Sequence, residues 1–240
     1  MKLPDLQDYL KQTGRYAGKI DGLAGRLTDA GIMLAMTDGP DTRLTEQDFI
    51  DSAKHLGVQT AAIKTFWKLE SNGVPFVDGR APILPERHRF SKNTGRKFDA
   101  RYPDLSAPKW DKTWYPKTQD GRWDIILQWY RLLAREKMDI DAAFASVSYG
   151  GPQIMGENFF ACGFRNPWNM AVAMARDERT QLEAFEKFIT NTGTILRDLR
   201  NVSRDIRTVV PVVRAYNGTA FAENKYDTRF LSSFIAFGGK

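Results

Sequence analysis

The 240-residue sequence has a single cysteine, Cys162, and two histidines, His55 and His88. One thiol excludes an intramolecular disulfide, so the fold must rest on its core, which suits folding in a reducing compartment. Cys162 lies in the apolar run Phe159-Phe160-Ala161-Cys162-Gly163, the setting of a buried inert thiol rather than a nucleophile. Two histidines, with no HExxH and no paired cysteines, give no basis for a zinc site, and no cofactor is expected. There is no GxxxxGK[ST] loop or GxGxxG turn to cradle phosphates. No apolar run reaches the ~18 residues of a membrane span. No apolar stretch follows Lys2 to make a signal peptide.

What the chain does have is core material and positive charge. It is 42% hydrophobic, with six Trp, eight Tyr and fifteen Phe, enough for one large domain or a main domain with an appendage. The formal net charge is +6, which favours an anionic partner. The densest basic stretches, 80–101 and 197–214, are interrupted by Asp and apolar residues, which argues against a dedicated nucleic-acid arm.

Periodicity predicts a mainly helical, α+β chain. Residues 1–45 form a unit of their own: a short helix through Leu6 and Leu10, a glycine-rich loop from Tyr16 to Gly25, and a second helix from Thr28, as N-cap, to Met36. Residues 46–240 form the main domain. Its helices are expected over 46–56, 58–69, from 124 through the 130s, 140–145, 168–174, 178–200 with an interruption near Gly193, 204–216 broken at Pro211, and 226–236. A hairpin is predicted around Asp78-Gly79, with Pro82–His88 as its returning edge strand. The irregular segment 91–119 is long enough to suggest a functional loop, and its Trp110, Trp114 and Tyr115 would either line a groove or pin the loop to the core.

The most chemically suggestive stretch is Lys68-Leu69-Glu70-Ser71-Asn72-Gly73. Ala62, Phe66 and Leu69 follow helical spacing, and Ser-Asn-Gly ends the helix with Asn72 or Gly73 in the left-handed cap. Glu70 would sit in the last turn, where the negative end of the helix and the apolar surroundings both oppose ionisation. A carboxyl group protonated near neutral pH is what a general acid requires. The plainer alternative is a surface Glu at a frayed helix end.

Three separated pieces line up, this one and two more: Glu70-Ser71-Asn72-Gly73, Tyr149-Gly150-Gly151-Pro152-Gln153-Ile154-Met155-Gly156 and Ala215-Tyr216-Asn217-Gly218. Their order resembles the lysozyme superfamily in its goose-type lysozyme and lytic transglycosylase branch. With Asp78-Gly79-Arg80-Ala81-Pro82-Ile83-Leu84 and Glu86-Arg87-His88, it is more closely similar to the N-acetylmuramidase domain of phage endolysins, over about 46–238. Pro85 departs from that pattern, where a bulky apolar residue is more usual. Residues 1–45, through Leu6, Gln7, Leu10, Tyr16, Gly18, Ile20, Asp21, Gly22 and Thr28, resemble the small peptidoglycan-binding domain of wall-degrading enzymes, with its usual third helix shortened or replaced.

The resemblance implies hydrolysis of the β-1,4 bond between N-acetylmuramic acid and N-acetylglucosamine in bacterial peptidoglycan, causing host lysis. Glu70 would be the general acid. An inverting mechanism adds a second carboxylate at roughly 6.5–9.5 Å; Glu86 is preferred over Asp78, because a strand holds a carboxylate more rigidly than a turn tip. Ser71, Tyr149, Gln153, Tyr216 and Asn217 would bind substrate, with the glycines of the second motif letting the backbone approach the sugar. Tyr16, Ile20 and Asp21 would contact the wall. His88 is a minor candidate for proton handling. The expected protein is a monomer made in the host cytoplasm and attracted to the anionic envelope, with no nucleic-acid partner and no stable membrane insertion. The alternatives are a lytic transglycosylase, a chitinase, a non-catalytic wall-binding protein and a duplex-DNA binder.

Overall fold

The computed structural model describes residues 1–71, 75–115 and 124–240, apart from the side chains of Ser71, Lys112 and Ala220. The helix-ending residues Asn72 and Gly73 lie outside the described residues. None of the described helices is long and apolar enough to cross a membrane.

The chain opens with α1 (Leu3–Gln12) and α2 (Arg26–Ala35), which pack on each other around Gln7. Gln7 is fully buried. Its amide nitrogen lies 2.9 Å from Asp21 Oδ1, 3.1 Å from the Leu23 carbonyl and 3.2 Å from Tyr16 Oη, and its oxygen accepts the Gly22 N–H at 2.9 Å. The glycine-rich loop is thus folded onto one side chain. Thr28 is not the N-cap of α2: Gly25 takes that position, and Thr28 is buried one turn in, its hydroxyl 3.4 Å from the Gln7 amide. Glycine serves as an N-cap almost as well.

The helical pair shares one continuous apolar core with the rest of the chain. Tyr9 meets Trp168 edge-on at 5.7 Å, Lys137 pairs with Asp29 at 2.8 Å, and the Asp41 N–H donates to the Arg176 carbonyl at 3.1 Å.

Two helices then lead to the site. Helix α3 (Glu46–Leu56) starts from a capping box in which Thr45 and Asp48 bond reciprocally, and it ends at Gly57 in the left-handed conformation. Helix α4 (Thr60–Ser71) buries Ala61, Ala62, Ile63, Phe66, Trp67 and Leu69. It packs against α3 and against the final helix, α12 (Tyr226–Ala236). The Phe66 ring fixes α4 from three sides. It lies 5.5 Å from Phe185 on α9 (Glu178–Asn191), 4.9 Å from Tyr216 on α11 (Ile206–Asn217) and 5.1 Å from Phe230 on α12.

A three-stranded antiparallel sheet stands between the helices, ordered β1 (Ile83–Pro85), β2 (Val147–Tyr149), β3 (Ile154–Met155). Ile83 pairs with Tyr149 and Pro85 with Val147; Tyr149 also pairs with Ile154. This corrects the predicted hairpin. Asp78 and Gly79 do form the expected tight turn, both with positive φ, but it closes only a Val77–Arg80 bridge. The strand after it pairs with β2, more than sixty residues away in the chain. Glu86 is not on that strand: it is the N-cap of α5 (Arg87–Asn93), its N–H still donating to the Ser146 carbonyl at 2.7 Å.

The remaining helices are α6 (Ile125–Glu136), α7 (Ile140–Ala145), α8 (Pro167–Met174) and α10 (Ile195–Arg200). Asp124, Asp139, Asn166, Asp177 and Asp205 cap α6, α7, α8, α9 and α11 through their side chains. Helix α11 runs unbroken through Pro211, contrary to the predicted break. Pro211 and Arg207 are both on the exposed face, so the carbonyl that the proline leaves unbonded is left to solvent.

Gln7→Leu keeps the volume of the hub and removes the hydrogen bonds that tie the first loop to it. Buried partners left unpaired cost about 1–3 kcal/mol each, so urea denaturation is expected to show a loss of about 2 kcal/mol or more.

Candidate active site

Glu70 occupies the last turn of α4. Its carboxyl accepts a hydrogen bond from Asn217 Nδ2 at 2.9 Å. Asn217 is the last residue of α11, so the first and third sequence motifs meet directly. Burial raises the Glu70 carboxyl to about 7; the Asn217 hydrogen bond and the Arg229 guanidinium pull it back down, and burial wins. A sliver of the residue still reaches solvent. The result is a carboxyl group that holds its proton near neutrality yet remains within reach of a ligand.

The second motif builds the neighbouring surface, though not as expected. Residues 150–153 are the turn of the β2–β3 hairpin. Tyr149 is not a groove residue: it has no exposure, and its hydroxyl donates to the Phe144 carbonyl at 2.8 Å. An aromatic in the central strand of the sheet faces the core. The glycines serve packing rather than sugar approach. At Gly150, with φ +68°, a Cβ would lie 2.6 Å from the Gln181 side chain, and at Gly156 it would collide with the Phe144 carbonyl. Gln181, fully buried, accepts the Gly151 N–H at 2.7 Å and donates to the Met174 carbonyl at 2.8 Å.

Gln153 is turned inward. It donates to the Gly150 carbonyl at 2.7 Å and accepts from Ser148 Oγ at 2.9 Å. Tyr216 donates its hydroxyl to the Pro152 carbonyl at 2.8 Å, so the third motif also holds the hairpin turn. Burial, with Glu70 nearby, keeps that phenol protonated. Tyr149, Gln153 and Tyr216 thus position the site from behind, and Asn217 touches the acid itself.

Glu86 is the centre of a second cluster. Tyr115 Oη donates to Glu86 Oε2, and His88 Nδ1 lies 3.3 Å from the same oxygen. Behind them Arg135 is fully buried, donates to the Leu105 carbonyl at 2.8 Å, and is pushed down to about 9 by burial. Trp114 is sandwiched here, with the Arg131 guanidinium 3.5 Å from its ring and its Nε1 donating to the Asp104 carbonyl at 2.8 Å. Trp114 and Tyr115 therefore pin the 91–115 loop to the core. Trp110 stacks on Tyr115 at 6.3 Å and is 59% exposed, so it presents an open flat face.

Asp78 is an exposed turn tip. The Ser71 side chain lies outside the described residues. In the N-terminal pair, Tyr16 is buried and its hydroxyl donates to the Lys19 carbonyl at 2.7 Å, while Asp21 Oδ1 is taken by Gln7 and by the Leu23 N–H. Tyr16 therefore shapes the loop instead of facing outward as expected of a wall contact; Asp21 is exposed although its Oδ1 is engaged within the loop, and Ile20 is an exposed apolar side chain. Cys162 is fully buried, its thiol raised to about 12, as the inert reading requires.

Sequence reasoning missed Arg229, Gln181, Tyr115 as the partner of Glu86, and Arg135. Arg135 had a visible signal: a cation on the apolar stripe of α6, three residues beyond Leu132. Arg229 and Gln181 had none, because each acts across a helix contact distant in sequence.

The raised pKa has a consequence for stability. The native Glu70 carboxyl binds its proton more tightly than the unfolded one, so stability falls as pH rises through the window from about 4.5 to 7. Glu136, buried on α6 with neither oxygen hydrogen-bonded, behaves likewise. Glu70→Gln removes only the Glu70 share. At pH 8 the variant should be more stable than its parent by on the order of 2 kcal/mol, and the two should converge near pH 4, as read by urea denaturation.

The N-acetylmuramidase family profile matches residues 59–237. The crystal structure of the Burkholderia AP3 phage endolysin superposes with a TM-score of 0.69 at 27% identity, over 98% of this chain and 94% of that one. No curated protein matches the sequence. A family match over three quarters of the chain, on a fold that brings Glu70 against Asn217, identifies this chain as a member of the N-acetylmuramidase family.

Proposed function

We propose that the chain is a phage-type endolysin that hydrolyses the β-1,4 bond between N-acetylmuramic acid and N-acetylglucosamine, with Glu70 as the general acid. The observation that carries this reading is the Glu70 carboxyl, raised to about 7 by burial at the end of α4 and aimed by Asn217. Protonated Glu70 gives its proton to the glycosidic oxygen as the C1–O bond breaks. Water then adds at the anomeric carbon, opposite the leaving group, and yields its proton to a second carboxylate. Glu86 suits that role better than Asp78: the Tyr115 hydroxyl fixes its orientation, whereas Asp78 is an exposed turn residue. Trp110 offers a flat face for a sugar ring beside Tyr115. Wall contact by the N-terminal pair would run through Ile20 and the neighbouring exposed Leu23 and Leu27.

The second reading is a lytic transglycosylase, in which one Glu serves as acid and base and the muramoyl 6-hydroxyl replaces water. Mass spectra of digested peptidoglycan separate the two. Hydrolysis leaves reducing muramic acid ends, and 1,6-anhydromuramoyl ends would overturn the hydrolase assignment. Glu70→Gln is expected to lower kcat by about 10³-fold or more, and Glu86→Gln by about 10²-fold. Asn217→Ala removes a bond that lowers the pKa of Glu70. It should therefore move the alkaline limb of the kcat/KM–pH profile upward while kcat falls. An unmoved limb would show that Asn217 does not act through Glu70.

A further inference from the structure

Beside Glu70 a groove with about 390 Å³ of space opens between the end of α4 and α12, lined by Lys68, Leu69, Thr228, Arg229, Ser232 and Ser233. Neither of its two cations is ion-paired among the described residues. Lys68 and Arg229 rest on the Phe237 and Tyr226 rings at 5.5 and 5.4 Å, and among the described residues neither has a carboxylate within ion-pair distance. The nearby Asp227 is turned to the Thr228 N–H at 2.8 Å. The Ser232 and Ser233 hydroxyls likewise form no hydrogen bond among the described residues. Two cations without ion pairs, one from each side of the groove, and two free hydroxyls on its α12 side make a site for a small oxyanion.

In the substrate of the proposed reaction the glycan itself is largely neutral. Its anions are carboxylates on the substituent of each muramic acid, the sugar whose anomeric carbon faces the acid. Arg229 on the groove wall acts through space on the Glu70 carboxyl, so that end of the groove borders the point of cleavage, while Lys68 marks its far end toward Phe237. We propose that the Lys68–Arg229 groove is a subsite for a carboxylate of the peptide stem carried by the muramic acid at the cleavage point. This inference rests on the muramidase reading. It also couples binding to chemistry. Arg229 favours the ionised form of Glu70, and a carboxylate seated on Arg229 offsets that pull, so a stem-bearing substrate keeps the acid protonated to higher pH.

The test uses the full chain and three soluble glycan preparations: strands with stem carboxylates intact, the same strands with those carboxylates converted to neutral amides, and strands stripped of stems by an amidase, which retain only the lactyl carboxylate. KM for the wild type should rise about tenfold on amidation. The Lys68→Gln/Arg229→Gln double variant should show one high KM on intact and amidated strands alike. The alkaline limb of kcat for the wild type should lie higher on intact strands than on amidated ones. Equal wild-type KM on intact and amidated strands would overturn the groove assignment while leaving the muramidase reading standing. Full affinity for stripped strands would transfer the subsite to the lactyl carboxylate and overturn the stem assignment. Failure to cleave any of the three would instead sink the muramidase reading itself.

Discussion

A carboxyl group at the C-terminal end of α4 has lost most of its water and gained one amide hydrogen bond in return, and the chemistry of the site depends on that imbalance. Desolvation favours the neutral acid; Asn217 and Arg229 favour the anion, and together they recover only part of the shift. A fully exposed Glu would be ionised at pH 7 and useless as a proton donor. A sealed one could not reach substrate. The end of a helix buried on its other faces gives the intermediate case. The aromatic packing of Phe66 on Phe185, Tyr216 and Phe230 fixes where that end lies.

The hairpin of β2 and β3 is the second constraint, and it works through backbone. Its turn is held by Gln181 on one side and Tyr216 on the other, and its glycines admit those contacts. Tyr216 and Asn217 are adjacent, so the residue that grips the turn and the residue that grips the acid share one helix end. A motif of small and amide residues next to the Glu70 carboxyl therefore has a packing explanation before it has a binding one.

The helical frame was legible wherever a cap and an apolar stripe coincided. The helices over 46–56 and 226–236 lie where they were expected because the apolar spacing, and for the first of them Gly57 at its end, carry a local signal; which threonine caps the first, Thr42 or Thr45, only the fold decides. The pairing of β1 with β2 was not legible, because strand partners far apart in the chain leave no local trace, and the Asp78-Gly79 turn suggested a nearer partner. Pro211 misled for the opposite reason: a local rule was outweighed by an exposed position that tolerates an unbonded carbonyl. At the site, Glu70 and Asn217 were readable from motif order. The roles of Tyr149, Gln153 and Tyr16 were not, because burial, which turns a polar side chain from ligand contact into scaffold, appears only when the chain is folded.

The central claim is that Glu70 keeps a large share of its proton at neutral pH. It is tested most directly by following side-chain carboxyl carbon shifts by NMR across pH 3 to 9 in uniformly labelled protein, with Glu70→Gln used to assign the resonance and to separate it from Glu136. A Glu70 midpoint near 7 is the predicted result. A midpoint near the ordinary glutamate value of about 4.3 would mean that the group is ionised when the enzyme works, and would contradict its assignment as the acid.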